Sequence, residues 1–241
     1  MSAVPQSECE SVWAVVPAAG NGTRMSADRP KQYLALNGRS VIEHSINALS
    51  QNSLVSGVVV AIARDDKYWT DLDCGQMKIL SVVEGGNTRM ASVLNALKSL
   101  MSFEQVDPGH WVLVHDAARP CLRQSDLTAL IENARSSPDG AILATPVVDS
   151  IKQQSGEDTV VGRSVNRSGL WRALTPQMFR IRALCDALEA CHNRQEDVTD
   201  ESSAMEQSGY HPVLVEGSSD NIKITTPADL ALADFYIGQH Q

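Results

Sequence analysis

The chain has 241 residues, 43% of them apolar and 20% charged, an ordinary composition for a soluble globular protein able to bury a substantial core. Twenty basic against 29 acidic side chains leave a formal charge of −9, which speaks against a nucleic-acid partner and requires any anionic ligand to find its cations gathered locally. Apolar runs alternate with helix-like periodic segments from the start. Trp13–Pro17 reads as a strand, Val41–Leu49 as a helix, Val55–Ala63 and Ile79–Val83 as strands, and Thr88–Leu100 as a helix. Trp111–His115 then reads as a strand, Ser125–Ala134 as a helix and Ala141–Pro146 as a fifth strand. Strands that are apolar almost throughout, alternating with helices, imply an α/β fold: a mostly parallel sheet covered on both faces. Ligands of such sheets sit outside the carboxyl ends of the strands.

The rhythm breaks over residues 149–167, where two short polar strands flank Ser155-Gly156-Glu157-Asp158. A lone hairpin is marginal in water. This one reads either as an arm that packs on another subunit or as a solvated loop. Helices are expected at Ile181–Ala190 and Asp200–Ser208, a strand at Pro212–Glu216, and a last helix at Pro227–Ile237 capped by Thr226. Without a repeat or a linker, residues 1–241 form one domain with an arm.

Four loops carry the residue types of a charged-ligand site. The first runs through Ala18-Ala19-Gly20-Asn21-Gly22-Thr23-Arg24 to Lys31. Small residues and glycines let backbone N–H groups approach an anion, and the two cations can converge on one polyphosphate. It lacks the Gly-Lys-Ser/Thr of a Walker loop and the third glycine of a dinucleotide fingerprint, and a tight turn with surface cations is the plain alternative. The second, Gly85-Gly86-Asn87-Thr88-Arg89-Met90-Ala91-Ser92, opens a helix whose N-terminus favours anions, or is merely a turn with Thr88 as cap. The third is His115-Asp116-Ala117-Ala118-Arg119. A strand-end carboxylate there suits Mg²⁺ shared with substrate phosphates, and Arg119 suits a phosphate; a helix cap or a structural Asp–Arg pair is the alternative. In the fourth, Asp220-Asn221-Ile222-Lys223-Ile224, the lysine between isoleucines reads as semi-buried with an anionic partner.

Other classes are excluded by what is missing. The sequence has no G-x-S-x-G elbow, no H-E-x-x-H and no histidine cluster. Its five cysteines (Cys9, Cys74, Cys121, Cys185, Cys191) are scattered like reduced thiols of a cytosolic protein. The polar Met1 to Ser11 stretch is unlike a signal peptide, and no apolar run approaches the roughly 18–20 residues that span a bilayer. A cytoplasmic protein without membrane partners is expected. Glycine loops, cations and one strand-end carboxylate suit phosphoryl or nucleotidyl transfer.

The four loops, with Pro30-Lys31-Gln32-Tyr33-Leu34, Leu174-Thr175-Pro176-Gln177 and Thr199-Asp200-Glu201 between them, resemble the 2-C-methyl-D-erythritol 4-phosphate cytidylyltransferases of the non-mevalonate isoprenoid pathway. The resemblance covers about Trp13 to Tyr236. It implies a Rossmann-like nucleotidyltransferase sheet with a protruding β-arm, and a cytoplasmic homodimer that uses CTP, methylerythritol phosphate and Mg²⁺ or another divalent cation. It implies that Arg24 and Lys31 stabilise the α-phosphorus under attack, with Arg167 and Lys223 positioning the attacking phosphate. Ala18, Ala19, Gly20, Asn21, Gly22, Gly86, Asn87, Arg89, Ser92 and Ala117 would bind the nucleotide. Asp116 would hold the metal or the ribose side, and Arg119, Ser150, Thr175 and Thr199 would contact the polyol phosphate. Ser150 stands where the family pattern has threonine, which keeps the hydroxyl. The arm from Gln153 to Arg163 matches no pattern, and too few residues follow the last helix for the cyclodiphosphate synthase domain fused on in some relatives. A ribitol 5-phosphate cytidylyltransferase and a nucleotide-binding regulator without catalysis are the alternative readings.

Overall fold

Alternate residues of the first apolar run enter opposite buried layers, Val12, Ala14 and Val16 on one side and Trp13 and Val15 on the other. In the computed structural model, which describes residues 11–20, 29–156, 159–196 and 198–239, this run is strand β1 (Val12–Pro17). A small hairpin, β2 (Ala35–Leu36) and β3 (Arg39–Ser40), leads into helix α1 (Val41–Ser50). Ser40 caps that helix and Glu43 returns the bond to the Ser40 backbone, satisfying two helix-end donors at once. Then follow β4 (Val55–Ile62), β5 (Ile79–Glu84), α2 (Arg89–Leu100), β6 (Trp111–Val114), α3 (Gln124–Arg135) and β7 (Ala141–Pro146). After the arm come β10 (Trp171–Arg180), α4 (Ile181–Asn193), α5 (Glu201–Gln207), β11 (Val213–Glu216) and α6 (Pro227–Gln239), the arm strands being β8 (Ile151–Gln154) and β9 (Val161–Val165).

Seven strands form one sheet in the order β11-β7-β10-β6-β1-β4-β5. Every pairing is parallel except those of β10, which runs against both neighbours. Helices α1 and α3 cover one face through Ile42, Ile46, Leu49, Leu127, Leu130 and Ile131. Helices α2, α4 and α5 cover the other through Val93, Leu97, Leu184, Leu188 and Met205. The chain steps from β1 outward to β4 and β5, then returns to place β6 on the other side of β1. The crevice beyond the C-terminal ends of β1 and β6 is therefore the switch point where such sheets bind ligands.

The expected helices and sheet strands are present with end shifts of at most three residues, the largest at the C-terminus of α4, and the architecture is the α/β, mostly parallel sheet expected. Strand β10 was not anticipated. Pro176 lies inside it, and a proline normally argues against an internal strand because it cannot donate to the ladder. Here the pairing with β7 skips from Ala173 to Gln177, a bulge that leaves Pro176 outside the ladder.

Strands β8 and β9 pair with each other as a separate antiparallel ribbon, Ile151 opposite Val165. The ribbon prolongs β7 and β10, which remain joined past the sheet by Val147 N–H donating to Leu170 O at 3.0 Å. Val148, Val160 and Val161 are exposed, Val148 to 74%.

Candidate active site

At the end of β1 the backbone is pinned from two sides. Ala18 N–H donates to Ala61 O at 2.7 Å, and the buried Gln32 gives its amide to Ala18 O at 2.7 Å and Gly20 O at 3.1 Å. Lys31 beside it donates to Ile224 O at 2.7 Å. Asn21, Gly22 and Arg24 lie outside the described residues.

The second loop packs against the first at Gly85 and against its own helix at Gly86, with no room for a side chain at either. A Cβ on Gly85 would stand 2.5 Å from the Ala19 Cβ, and one on Gly86 would stand 2.3 Å from the Ala91 Cβ. These glycines are needed for close approach of backbones. Ser92 Oγ accepts the Gly86 N–H at 3.0 Å and donates to Thr88 O at 2.9 Å, and Thr88 caps α2 by accepting Ala91 N–H at 3.0 Å.

The third loop brings Asp116, 7% exposed, among three cations. Its Oδ1 accepts from Arg89 Nε at 2.9 Å; its Oδ2 lies 2.9 Å from Lys223 Nζ and 3.5 Å from Arg119 Nε. Burial opposes the Asp116 charge, yet Arg89, Lys223 and Arg119 outweigh it and hold the carboxyl well below the usual carboxylate range. Burial likewise opposes the Arg89 charge. Glu201, bidentate at 2.6 and 2.9 Å, and Asp116 outweigh it and hold the guanidinium above its usual range. Arg119 donates Nη1 to Asn221 O at 2.8 Å. The expected anionic partner of Lys223 is Asp116, but the lysine side chain is 40% exposed rather than semi-buried by its isoleucines. Its tip leans into an open cleft.

Beneath the loop, Asp116 N–H donates to Thr175 Oγ1 at 3.0 Å, and that hydroxyl donates to His115 Nδ1 at 3.0 Å. His115 Nε2 faces Arg119 O at 3.0 Å, and a carbonyl only accepts, which assigns the proton to Nε2. Burial pushes the His115 pKa down to about 4, so the ring is neutral near neutral pH. Thr175 is thus spent on bracing the loop, and its carbonyl takes Asn221 Nδ2–H at 2.8 Å.

Two cavities meet at this cluster. One, about 350 Å³, is lined by Ala18, Ala19, Gly20, Lys31, Gly86, Asn87, Ser92 and Ala117; the other, about 220 Å³, by Arg119, Thr175 and Thr199; Arg89, Asp116 and Lys223 belong to both. The structure thus brings together most of the sequence-predicted residues. It does not bring Ser150 and Arg167 there. Both are exposed at the base of the arm, where Arg167 Nη1 donates to Val148 O, and neither lines either of these two cavities. A larger cavity of about 510 Å³ beside Arg39, His44 and Arg123 gathers none of the predicted residues.

Sequence reasoning missed the residues that hold the site in place: Gln32, Gln177, Glu201 and Asn221. All four sit in the runs that carry the family resemblance, but only Glu201 had a residue-type signal of its own, as a carboxylate at the first position of a helix that turns out 1% exposed. Among the described residues no group of three or more His, Cys, Asp or Glu could hold a metal ion. Asp116 Oδ1 keeps a lone pair beyond its bond to Arg89, which fits Mg²⁺ held through one carboxylate and substrate phosphates rather than in a protein cage. No helix among the described residues is long and apolar enough to cross a membrane.

Residues 12–239 match the family model of 2-C-methyl-D-erythritol 4-phosphate cytidylyltransferase. A protein of that name from Vibrio atlanticus is 49% identical over 234 residues, covering 97% of this chain and 98% of the relative. One from Pseudomonas entomophila is 50% identical over 218 residues, covering 90% and 92%. Among solved structures, a 4-diphosphocytidyl-2C-methyl-D-erythritol synthase superposes with a TM-score of 0.83 at 33% identity, covering 95% of this chain and 98% of that one. The Francisella tularensis cytidylyltransferase gives 0.78 at 35% identity, covering 94% and 99%. With matched sequence running from the glycine loop through the arm to the last helix, the chain belongs to the 2-C-methyl-D-erythritol 4-phosphate cytidylyltransferase family.

Proposed function

We propose that the double cavity around Asp116 is where CTP and 2-C-methyl-D-erythritol 4-phosphate meet. The chain is a cytidylyltransferase: it transfers a cytidylyl group from CTP to that acceptor, giving 4-diphosphocytidyl-2-C-methyl-D-erythritol and pyrophosphate in the isoprenoid pathway. The observation that carries the site assignment is the shared wall. Arg89, Asp116 and Lys223 border both cavities, so a nucleotide in the larger and a phosphate in the smaller would meet over one charged cluster.

In the reaction an oxygen of the acceptor phosphate bonds to the α-phosphorus of CTP while the bridging α–β P–O bond breaks and its electrons leave with pyrophosphate. The second pKa of a phosphate monoester is about 6, so the nucleophile is already largely dianionic and needs no general base. The burden falls on cations and backbone donors that offset the crowded negative charge. We assign that task to Arg24 and Lys31 at the triphosphate, with the N-terminus of α2 and the Gly20 and Gly86 backbones lining the nucleotide side. Lys223, Arg119 and Thr199 face the acceptor phosphate. Bound at Asp116, Mg²⁺ would supply further charge neutralisation between the phosphates.

The arm completes this reading. Its exposed Val148, Val160 and Val161 and its outlying Arg167 suit packing on a second copy, whose site would receive Arg167 and Ser150. We assign the working form as a cytoplasmic homodimer. The deciding assay follows pyrophosphate release from CTP with each polyol phosphate in turn. Turnover with methylerythritol phosphate is expected, and turnover with ribitol 5-phosphate alone would overturn the acceptor assignment.

A further inference from the structure

Glu201 is 1% exposed, and the chemistry above does not use it. Its two oxygens take Arg89 Nη1 at 2.6 Å and Nη2 at 2.9 Å, while Arg89 Nε holds Asp116 at 2.9 Å. Glu201 is itself fixed from both sides. The preceding Asp200 accepts from Gln177 Nε2 at 2.8 Å, and the following Ser202 donates its N–H to Gln177 Oε1 at 2.8 Å. Gln177 is 1% exposed in β10 and pairs with Val114, two residues before Asp116. One amide therefore fastens the start of α5 to the strand beside β6, which leads into Asp116.

We propose that Glu201 is a positioning residue for cytidylyl transfer, acting through Arg89. It occupies the forked edge of the guanidinium, so that Arg89 meets Asp116 through Nε alone and Asp116 Oδ2 stays with Lys223. Carboxylate and guanidinium match best as a two-bond fork. Without the Glu201 charge, the same edge turns to Asp116, the other carboxylate within its reach, and draws it off Lys223. Three cations would then share one carboxylate instead of two.

Glu201→Gln tests this, since the amide keeps the size and one acceptor but not the second anionic oxygen. Misplacing a group at the reacting centre by about 1 Å lowers rates about 10²-fold, and that loss is expected in single-turnover transfer. CTP affinity by calorimetry should stay within a few-fold of wild type. In an Arg89→Ala background the substitution should add no further loss. Losses that multiply, or a Glu201→Gln rate equal to wild type, would overturn the proposal. So would a fall in CTP affinity and thermal midpoint in step with the rate, which would make Glu201 only an anchor of α5. Should Glu201→Gln fail to fold, Glu201→Asp keeps the charge but reaches one guanidinium nitrogen. A slower rate at unchanged CTP affinity would support the proposal, and an unchanged rate would overturn it. The inference rests on the site assignment proposed above, yet the two fail separately. Wild-type turnover in Lys31→Ala would remove that assignment, whereas multiplying losses at Glu201 and Arg89 would remove only this one.

Discussion

The Asp116 cluster and the arm both present arginines, and they hold them in opposite ways. Arg89 makes three charge-assisted bonds to two buried carboxylates, and Arg119 is 9% exposed with its carbonyl partner fixed on Asn221. Arg167 sits exposed on a ribbon that touches its own chain mainly through its ends, with Val148 O as a hydrogen-bond acceptor. A cluster of the first kind is set before any ligand arrives, so it meets the transition state without reorganising. A residue of the second kind gets its geometry from whatever the arm packs against. Burial thus separates the part of the site that one chain builds alone from the part that we assign to a second copy.

The sharpest way to break this contrast is Asp116→Ala. Removing one partner of a buried ion pair typically destabilises by about 3–5 kcal/mol, because the other charge stays behind. Here Arg89 retains Glu201 and Lys223 can reach solvent, so a loss near the lower figure, about 3 kcal/mol, is expected in urea denaturation. Cytidylyl transfer should fall below detection. A variant as stable as wild type would mean that the cations are not held by this carboxylate.

The arm is tested by activity rather than stability. Arg167→Ala should leave the unfolding free energy within about 0.5 kcal/mol of wild type, as exposed substitutions do. Its turnover, like that of Lys31→Ala, should drop about 10²–10³-fold through the lost charge. Mixing the two inactive variants should then restore activity. If Arg167 serves the partner's site, each mixed dimer carries one site with both defects and one with neither, so random exchange returns about a quarter of wild-type sites. No recovery after verified exchange would place Arg167 in the site of its own chain.

How legible this was from sequence follows the same division. Helix and strand periods are local, so β1, α1, α2 and β6 could be read directly, and the glycine, lysine and aspartate loops stood out by residue type. An anionic partner for Lys223 was also expected, though from a burial between isoleucines that the folded lysine does not have; that the anion is Asp116, 107 positions earlier, was not legible. Partners so far apart in sequence are a property of the folded sheet. The bulge at Pro176 hid β10, and with it the clamp that Gln177 places on Asp200 and Ser202. Braces such as Gln32 and Asn221 are ordinary polar residues until their carbonyl partners are known.

The smallest expected effect probes how far the preset region extends along the Lys223 loop. Asp229, in the first turn of α6, accepts Thr225 N–H at 2.9 Å, the Thr225 hydroxyl at 2.7 Å and Thr226 N–H at 2.7 Å. Burial opposes its charge slightly, but these donors outweigh it and hold the carboxyl at about 2. A folded pKa below the unfolded one gives stability that is present above about pH 4 and lost as the pH falls through about 2. Asp229→Asn should therefore be less stable than wild type by about 1 kcal/mol at pH 7, the usual value of a helix cap. The gap should shrink from about pH 4 to pH 2, first as Asp229 of the unfolded chain takes up its proton and then as the folded carboxyl does. A gap that stays constant over that range would assign the effect to hydrogen-bond geometry instead of charge. Because Thr225 lines the larger cavity two residues beyond Lys223, the variant should also raise the KM for CTP modestly and that for the acceptor phosphate less. An equal rise for both would mean that the loop moves as one piece with the wall shared by the two cavities.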